Sequence, residues 1–399
     1  MGGKPKIVMA GAGLGGLAAA LSLLRRGFDV EVYEQAEALR EVGAGVQVSA
    51  NGTRVLFALG LRERLMPLSW QPQGKVLRVW RNGETWPMFD LATESMQRYG
   101  FPYLTFHRAD LHGVLAAAVE EARAGTIRLR SKCVGCVQDE TSASLRLADG
   151  TLVKGDIAIG ADGVHSAVRQ SQFGPDSPKF TGLIAWRGVL PRERLPPHML
   201  NAPGTNWVGP GGHVVHYFLR RGELLNFVGI RERDDWQEES WIAAGTNEEL
   251  QRDFAGWHED IQTLIRGIDV PYKWALKIRE PMSAWTVGRV TLLGDACHST
   301  LPFMAQGAVM AIEDGFILAR CLAETPEDAP AALRRYEQAR RERANRVVAG
   351  SSRMTDIFHN PSLAEADSAQ AYMAEQWKPE RTRERYDWLF SYDATTAAV

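Results

Sequence analysis

The chain has 399 residues, of which 45% are hydrophobic and 24% charged, enough to bury the core of one large domain or two interlocked ones. Its 46 basic and 48 acidic residues leave a formal charge of −2, which gives no electrostatic reason for a nucleic-acid or anionic-membrane partner and favours a small-molecule ligand. Cys133, Cys136, Cys297 and Cys321 are too few for a disulfide framework, and with no signal-like leader and no apolar run of roughly 18 residues a cytoplasmic protein is expected.

Lys6-Ile7-Val8-Met9-Ala10 is a short apolar run expected to be a strand. Leu14 to Arg26 follows with Leu17, Ala20, Leu21 and Leu24 at helical spacing, and Val30-Glu31-Val32-Tyr33 alternates as a second strand. Strand, glycine turn, helix and strand make a βαβ unit and imply a parallel sheet. The turn, Gly11-Ala12-Gly13-Leu14-Gly15-Gly16, is a GxGxxG fingerprint, and Glu34 closes the next strand about twenty residues on. Gly11 permits the tight turn, Gly13 lets backbone approach a pyrophosphate, and Gly16 lets the helix pack on the strand. The diphosphate would face the amides of the helix beginning near Leu14, while Glu34 would accept hydrogen bonds from the adenosine ribose. A dinucleotide site is expected, and the fingerprint by itself leaves NAD and FAD both open.

Cys133-Val134-Gly135-Cys136 has CxxC spacing but lacks a second ligand pair, so strand cysteines and no metal are expected. Asp156-Ile157-Ala158-Ile159-Gly160 and Val290-Thr291-Leu292-Leu293-Gly294 are further apolar strands, each running into Gly-Ala-Asp or Gly-Asp, that should join the first sheet. Between them, near residues 181–278, alternating runs such as Val214-Val215-His216-Tyr217-Phe218-Leu219 indicate a separate, mostly antiparallel sheet. On such a strand His213 and Tyr217 share a face and His216 points the other way. After Gly307 a helical pattern runs to about Val348, and its charge-rich part, Arg334 to Arg346, is interleaved with glutamates and expected to be a solvated face. Tyr386, Trp388, Phe390 and Tyr392 crowd the tail, which is expected to dock on the parent domain or a second subunit; a homodimer is expected.

Gly160-Ala161-Asp162-Gly163-Val164-His165-Ser166-Ala167-Val168-Arg169 and Gly294-Asp295-Ala296-Cys297-His298, in order behind the fingerprint, resemble the further signatures of the group A flavoprotein monooxygenases, the para-hydroxybenzoate hydroxylase-like family. The resemblance covers nearly the whole chain. It implies an α/β fold: a Rossmann-like FAD-binding domain from residues 1–75, 101–180 and 279–345, an inserted antiparallel substrate sheet from 76–100 and 181–278, and a helical tail at 346–399. Asp162 with Gly163 would lie near the pyrophosphates of FAD and the nicotinamide cofactor, Asp295 on a ribityl hydroxyl, and Arg108, in His107-Arg108-Ala109-Asp110-Leu111-His112, against FAD. On the same likeness Gln35, Gln47, Cys133, Pro302 and Ala308 join Gly11, Gly13, Leu14, Gly15, Gly16 and Glu34 as FAD-binding candidates. The amides around Gln306 and Gly307 open a helix whose positive end would hold the anionic reduced flavin, an effect of roughly 0.3–1 kcal/mol when exposed and more when buried.

In that family NADH or NADPH reduces the FAD, O2 adds at the flavin C4a carbon, and an electrophilic oxygen passes to an electron-rich ring. A phenol must lose its proton to be rich enough, which calls for a base or proton relay in a dry pocket. The inserted region resembles that of 3-hydroxybenzoate 6-hydroxylase and 6-hydroxynicotinate 3-monooxygenase, and on that likeness His213 is the base or relay and Tyr217 orients the ring or its carboxylate. The match is uneven. Gln47 and Phe303 depart from histidine positions of the hydroxynicotinate enzymes, and Pro302 stands where 3-hydroxybenzoate hydroxylases tend to carry glutamine, whereas Leu301-Pro302 is similar to salicylate hydroxylases. Salicylate, hydroxylated at the carboxylate-bearing carbon with loss of carbon dioxide to give catechol, is the first expectation; 3-hydroxybenzoate and 6-hydroxynicotinate follow. A non-oxygenating flavoprotein reductase and a redox-responsive binding protein stay open as rival readings.

Overall fold

The structure, a computed structural model, describes residues 4–39, 45–235 and 243–399, so residues 1–3 of the expected first domain lie outside it. A six-stranded sheet runs in the order Thr286–Val287, Val290–Leu292, Ile157–Gly160, Lys6–Ala10, Asp29–Tyr33, Ile127–Arg128. All neighbours in it are parallel except the Thr286–Val287 edge. Ile7, Val8, Met9, Ile157 and Ile159 are fully buried, which is why these strands read as continuous apolar runs instead of alternating ones. The helix Leu14–Arg25 lies against the helix Gly307–Glu324. Small residues set that approach: a Cβ on Gly15 would come 2.7 Å from the Ala311 Cβ, and one on Gly315 would come 2.6 Å from the Ala19 nitrogen.

The inserted sheet has seven strands, in the order Tyr272–Ile278, Lys179–Pro191, Leu224–Glu232, Gly212–Leu219, Gly204–Gly209, Gly74–Val79, Thr85–Asp90. Only Gly204–Gly209 with Gly74–Val79 is parallel. One face buries Trp207, Val214, Phe218 and Phe227 with Leu250, Ile261, Leu264 and Ile265 in a second core. His216 belongs to that face, where its Nε2 accepts from the Trp207 indole N–H at 3.1 Å, so His213 and Tyr217 face the nucleotide-binding layer. A two-stranded ribbon, Gly45–Val48 with Leu104–His107, joins the layers, and Thr105 donates to the Phe218 carbonyl at 2.5 Å.

Two expectations for the C-terminal region need correction. The helical stretch breaks at Thr325–Asp328, where the Asp328 side chain accepts from the Ala331 amide at 3.0 Å and Pro330 opens a new helix, Ala329–Phe358, that continues past Val348. Nor is the Arg334–Arg346 stretch only a solvated face. Arg340 is fully buried, because the facing helix presents Glu313 and Asp314 to it: its nitrogens lie 2.7 Å from each carboxylate. In the tail, Tyr386 and Phe390 pack on their own chain, with ring centroids 4.9 and 5.6 Å from Phe89. Among the described residues no helix is long and apolar enough to cross a membrane.

Candidate functional site

Four neighbouring strands of the parallel sheet deliver the sequence motifs side by side. Leu292, Gly160, Ala10 and Tyr33 are the carboxyl ends of adjacent strands, so Asp295, Asp162, the Gly11–Gly16 turn and Glu34 line one edge, where open α/β sheets bind ligands. The turn is tightly made. Gly11 has φ of +100°, a Cβ on it would meet the Ala161 carbonyl oxygen at 2.3 Å, and a Cβ on Gly16 would meet the Gly11 oxygen at the same distance. Nothing lies within 4 Å of a Cβ on Gly13, so there the backbone is open to a diphosphate. Leu14 begins the helix as expected, whereas Gly15 is turned to the packed helix Gly307–Glu324.

Glu34 accepts from the Ala12 amide at 2.8 Å through one oxygen and from the Ala36 amide at 2.9 Å through the other. Each oxygen keeps a further lone pair for a ribose hydroxyl. Asp162 accepts from the Ala167 and Val168 amides at 2.8 and 3.2 Å through Oδ2, while its Oδ1 is buried with no hydrogen-bond partner among the described residues. Burial pushes that carboxyl up, offset in part by Ser166 and the two amides. Asp295 is accessible at the strand end, and desolvation pushes its carboxyl up against the opposing pull of His298 and Arg108. The open Asp162 oxygen beside an open glycine turn fits a polyol diphosphate such as FAD.

The remaining candidates spread around this edge. Cys133 starts the strand Cys133–Gln138 within electrostatic reach of Asp162, its thiol donating to the Gly135 carbonyl at 3.3 Å and pushed up to about 12 by burial. Gln35 is exposed, and Gly163 takes a left-handed φ of +75° in open space. Pro302 opens a short helical turn that ends at Ala305 in left-handed conformation, φ +54°. Gln306 then starts the helix carrying Gly307 and Ala308; its side chain is fixed by hydrogen bonds of 3.0 Å to Asn51 and Ser49. Cys136 is buried, and among the described residues no cluster of three or more histidines, cysteines or carboxylates could hold a metal.

On the facing sheet His213 and Tyr217 share a face; Tyr217 meets Gln47 of the ribbon, and residues that the sequence pattern did not single out join them. Tyr103 donates to Gln47 Oε1 at 2.9 Å, and Lys75 Nζ donates to the same oxygen at 3.4 Å. Tyr217 crosses the ribbon so closely that a Cβ on Gly45 would sit 2.7 Å from its hydroxyl. Burial lowers the half-buried Lys75 ammonium to about 8. The His213 ring stands edge-on to Phe303 at 4.7 Å, and its Nδ1 lies 2.7 Å from Nε2 of His359. Burial, with His359 and Lys75 adding to it, pulls this imidazole well below its ordinary range, so it is neutral.

Lys75 was missed because a lone lysine on an alternating strand reads as a solvent-facing residue. His112 was passed over inside its own motif: its Nε2–H donates to the Ala12 carbonyl at 2.7 Å and pins the glycine turn. A buried network adjusts the rest. Asp314 Oδ2 accepts from His298 at 2.6 Å and from the Gly294 amide at 3.0 Å, directly ahead of Asp295, while Glu313 holds Asn51 at 2.7 Å, directly behind Gln306 in the side-chain chain. Burial pushes Asp314 up, but His298 and Arg340 overcome it and hold the carboxyl at about 2.

Residues 4–351 match the model of a family described as FAD binding domain. The chain is 36% identical to the 3-amino-4-hydroxybenzoate 2-monooxygenase PtnB3 of Streptomyces platensis, over 98% of this chain and 97% of that one. It is also 36% identical to the 6-hydroxynicotinate 3-monooxygenase of Bordetella bronchiseptica, with 98% and 96% covered, and to the 3-hydroxybenzoate 6-hydroxylase of Polaromonas naphthalenivorans, with 97% and 96% covered. A solved salicylate hydroxylase substrate complex superposes with a TM-score of 0.80 at 26% identity, covering 98% of this chain and 96% of that one.

Proposed function

The chain belongs to the FAD binding domain family and is an FAD-dependent aromatic monooxygenase, and from that premise we propose that it hydroxylates a small phenolic acid, salicylate first, in the cytoplasm. FAD would be held by the Gly11–Gly16 turn, Glu34, Arg108, Asp162 and Asp295. Bound there, it would take a hydride from NADH or NADPH and use O2 to supply an electrophilic oxygen. The protein's part is to present an ionised, correctly turned ring and to exclude water. A homodimer is part of the reading, on a surface other than the aromatic tail, which its own chain already covers.

The observation that carries the substrate class is the pairing of Lys75 with His213 on one face of the inserted sheet. A cation of lowered pKa meets a carboxylate, and a neutral imidazole of lowered pKa meets a phenolic hydroxyl. Tyr217 and Tyr103, fixed around Gln47, would orient the ring. The relatives named for hydroxynicotinate and 3-hydroxybenzoate favour the two runner-up guests, and the one named for 3-amino-4-hydroxybenzoate adds a third; all carry the same carboxylate and ionisable hydroxyl. The test is oxygen uptake and product identification with each acid and NADH. Catechol from salicylate supports the first reading, a dihydroxybenzoate from 3-hydroxybenzoate or a dihydroxypyridine with carbon dioxide from 6-hydroxynicotinate moves the assignment to that guest, and no oxygen-dependent product from any would overturn the phenolic-acid reading.

Lys75→Met is expected to raise KM for the acid by about 10- to 100-fold with FAD content unchanged, since a charge-assisted contact contributes roughly 1.5–3 kcal/mol. Its ordinary pKa of 10.5 is lowered to about 8 in the free protein. Below pH 8 it is therefore a cation, and KM should climb as pH rises through 8. A flat KM between pH 7 and 9 would take Lys75 out of substrate recognition.

A further inference from the structure

His213 does not end in the core. Its Nδ1 lies 2.7 Å from Nε2 of His359, and Nδ1 of His359 lies 2.9 Å from Glu232 Oε1. The first two side chains are shut away, His213 at 1% exposure and the His359 side chain at 2%, while the Glu232 side chain is 53% exposed. Three titratable groups thus run in unbroken hydrogen-bonding contact from the candidate substrate face to bulk water. The backbone holds His359 and Glu232 in place: the Gly211 amide donates to the His359 carbonyl at 3.3 Å, and the Glu232 amide donates to the Gly211 carbonyl at 3.0 Å.

The chain has a direction. An ionised carboxylate only accepts, so Nδ1 of His359 must carry its proton toward Glu232. A neutral His359 then offers Nε2 as an acceptor, so Nδ1 of His213 must donate to it. That leaves Nε2 of His213 with its lone pair toward a guest, the tautomer a base requires. Burial lowers both imidazoles, and Glu232 offsets this in part for His359, so both rest neutral. The other charged groups around them are Lys75 beside His213, and Arg231 and Asp356 beside His359.

We propose that His359 and Glu232 form a proton relay that carries the phenolic proton of the bound acid from His213 to solvent. The proposal rests on the phenolic-acid reading above. The O–H bond of the guest breaks as Nε2 of His213 gains a proton; Nδ1 of His213 gives its proton to Nε2 of His359; Nδ1 of His359 gives its own to Glu232, which passes it to bulk water. One proton leaves the guest and one reaches bulk, and the guest stays behind as a phenolate. His359 and Glu232 act through His213 and touch no substrate themselves, so their loss should slow ionisation without weakening binding.

The test uses FAD-loaded protein without nicotinamide, mixed rapidly with the phenolic acid in weak buffer containing a pH indicator, so that proton release and phenolate absorbance are followed together. In Glu232→Gln, whose amide oxygen can still accept from His359, release should slow by about 10-fold, and in His359→Gln by more, with the dissociation constant of the acid within about two-fold of the parent. Added imidazole should restore the rate in both. Parent-like release in Glu232→Gln, which alters an exposed side chain and leaves the core intact, overturns the relay even where His359→Gln does not fold. Slowed release with equally weakened binding and no rescue by imidazole also overturns it, as a structural effect. If the parent itself binds no phenolic acid, the substrate reading falls and takes the relay with it; if the parent ionises its guest and both variants match it, the relay alone falls.

Discussion

His213→Gln is expected to lower hydroxylation by roughly 10²- to 10⁴-fold, the usual contribution of a positioned base, while the purified protein keeps its full content of FAD. The separation of effects follows from where the ring sits. Its neighbours are Phe303, Phe358 and His359, and it belongs to a strand of the inserted sheet, away from the Gly11–Gly16 turn, Asp162 and Asp295. Glutamine can keep a hydrogen bond to His359, but it cannot take a proton from a phenol. Turnover and flavin absorbance measured on the same preparation give the check, and turnover within about two-fold of the parent would remove His213 from the chemistry.

Arg340→Met is expected to cost about 3–5 kcal/mol of stability, the usual penalty for removing one partner of a buried ion cluster. Arg340 is fully buried between Glu313 and Asp314, and Arg343 adds a second cation at 3.0 Å from Glu313. Without Arg340 the two carboxylates keep too little positive charge for a dry interior. Since Asp314 also holds the Gly294 amide and His298, the turn that presents Asp295 should loosen, and FAD should dissociate more readily. The triple change Glu313→Gln, Asp314→Asn, Arg340→Met should recover part of the loss, because it removes the stranded charges. Denaturant midpoints of the three proteins are the measurement, and an Arg340→Met protein as stable as the parent would contradict the network's importance. Asp314 titrates at about 2 instead of its ordinary 3.8, a lowered value, so its contribution is complete above about pH 4 and is lost as pH falls toward 2.

The parts of the site that were legible in the sequence are those whose chemistry is local. Gly11 and Gly16 answer to a backbone turn and a helix packed within a few residues, and Asp162 and Asp295 each follow their own strand directly. Period-two alternation was enough to place His213 and Tyr217 on one face and His216 on the other. The helix end is less legible: the helical pattern predicts an end at about Val348, yet the helix continues to Phe358 and delivers His359 to His213, 146 residues away in the chain.

The dinucleotide-binding edge is readable from the residue order, since strand ends, glycine turns and the residues that follow them are fixed by short-range backbone geometry. Folding in three dimensions settles which charged residues are buried and which distant partners they meet. Arg340 lies in a run that looks like a solvated helix face, Lys75 on a strand that looks half exposed, and Glu232 at a strand end far from His359. Their roles depend on the dielectric around them and on partners brought from distant segments, and neither quantity is written in a residue's neighbours along the chain.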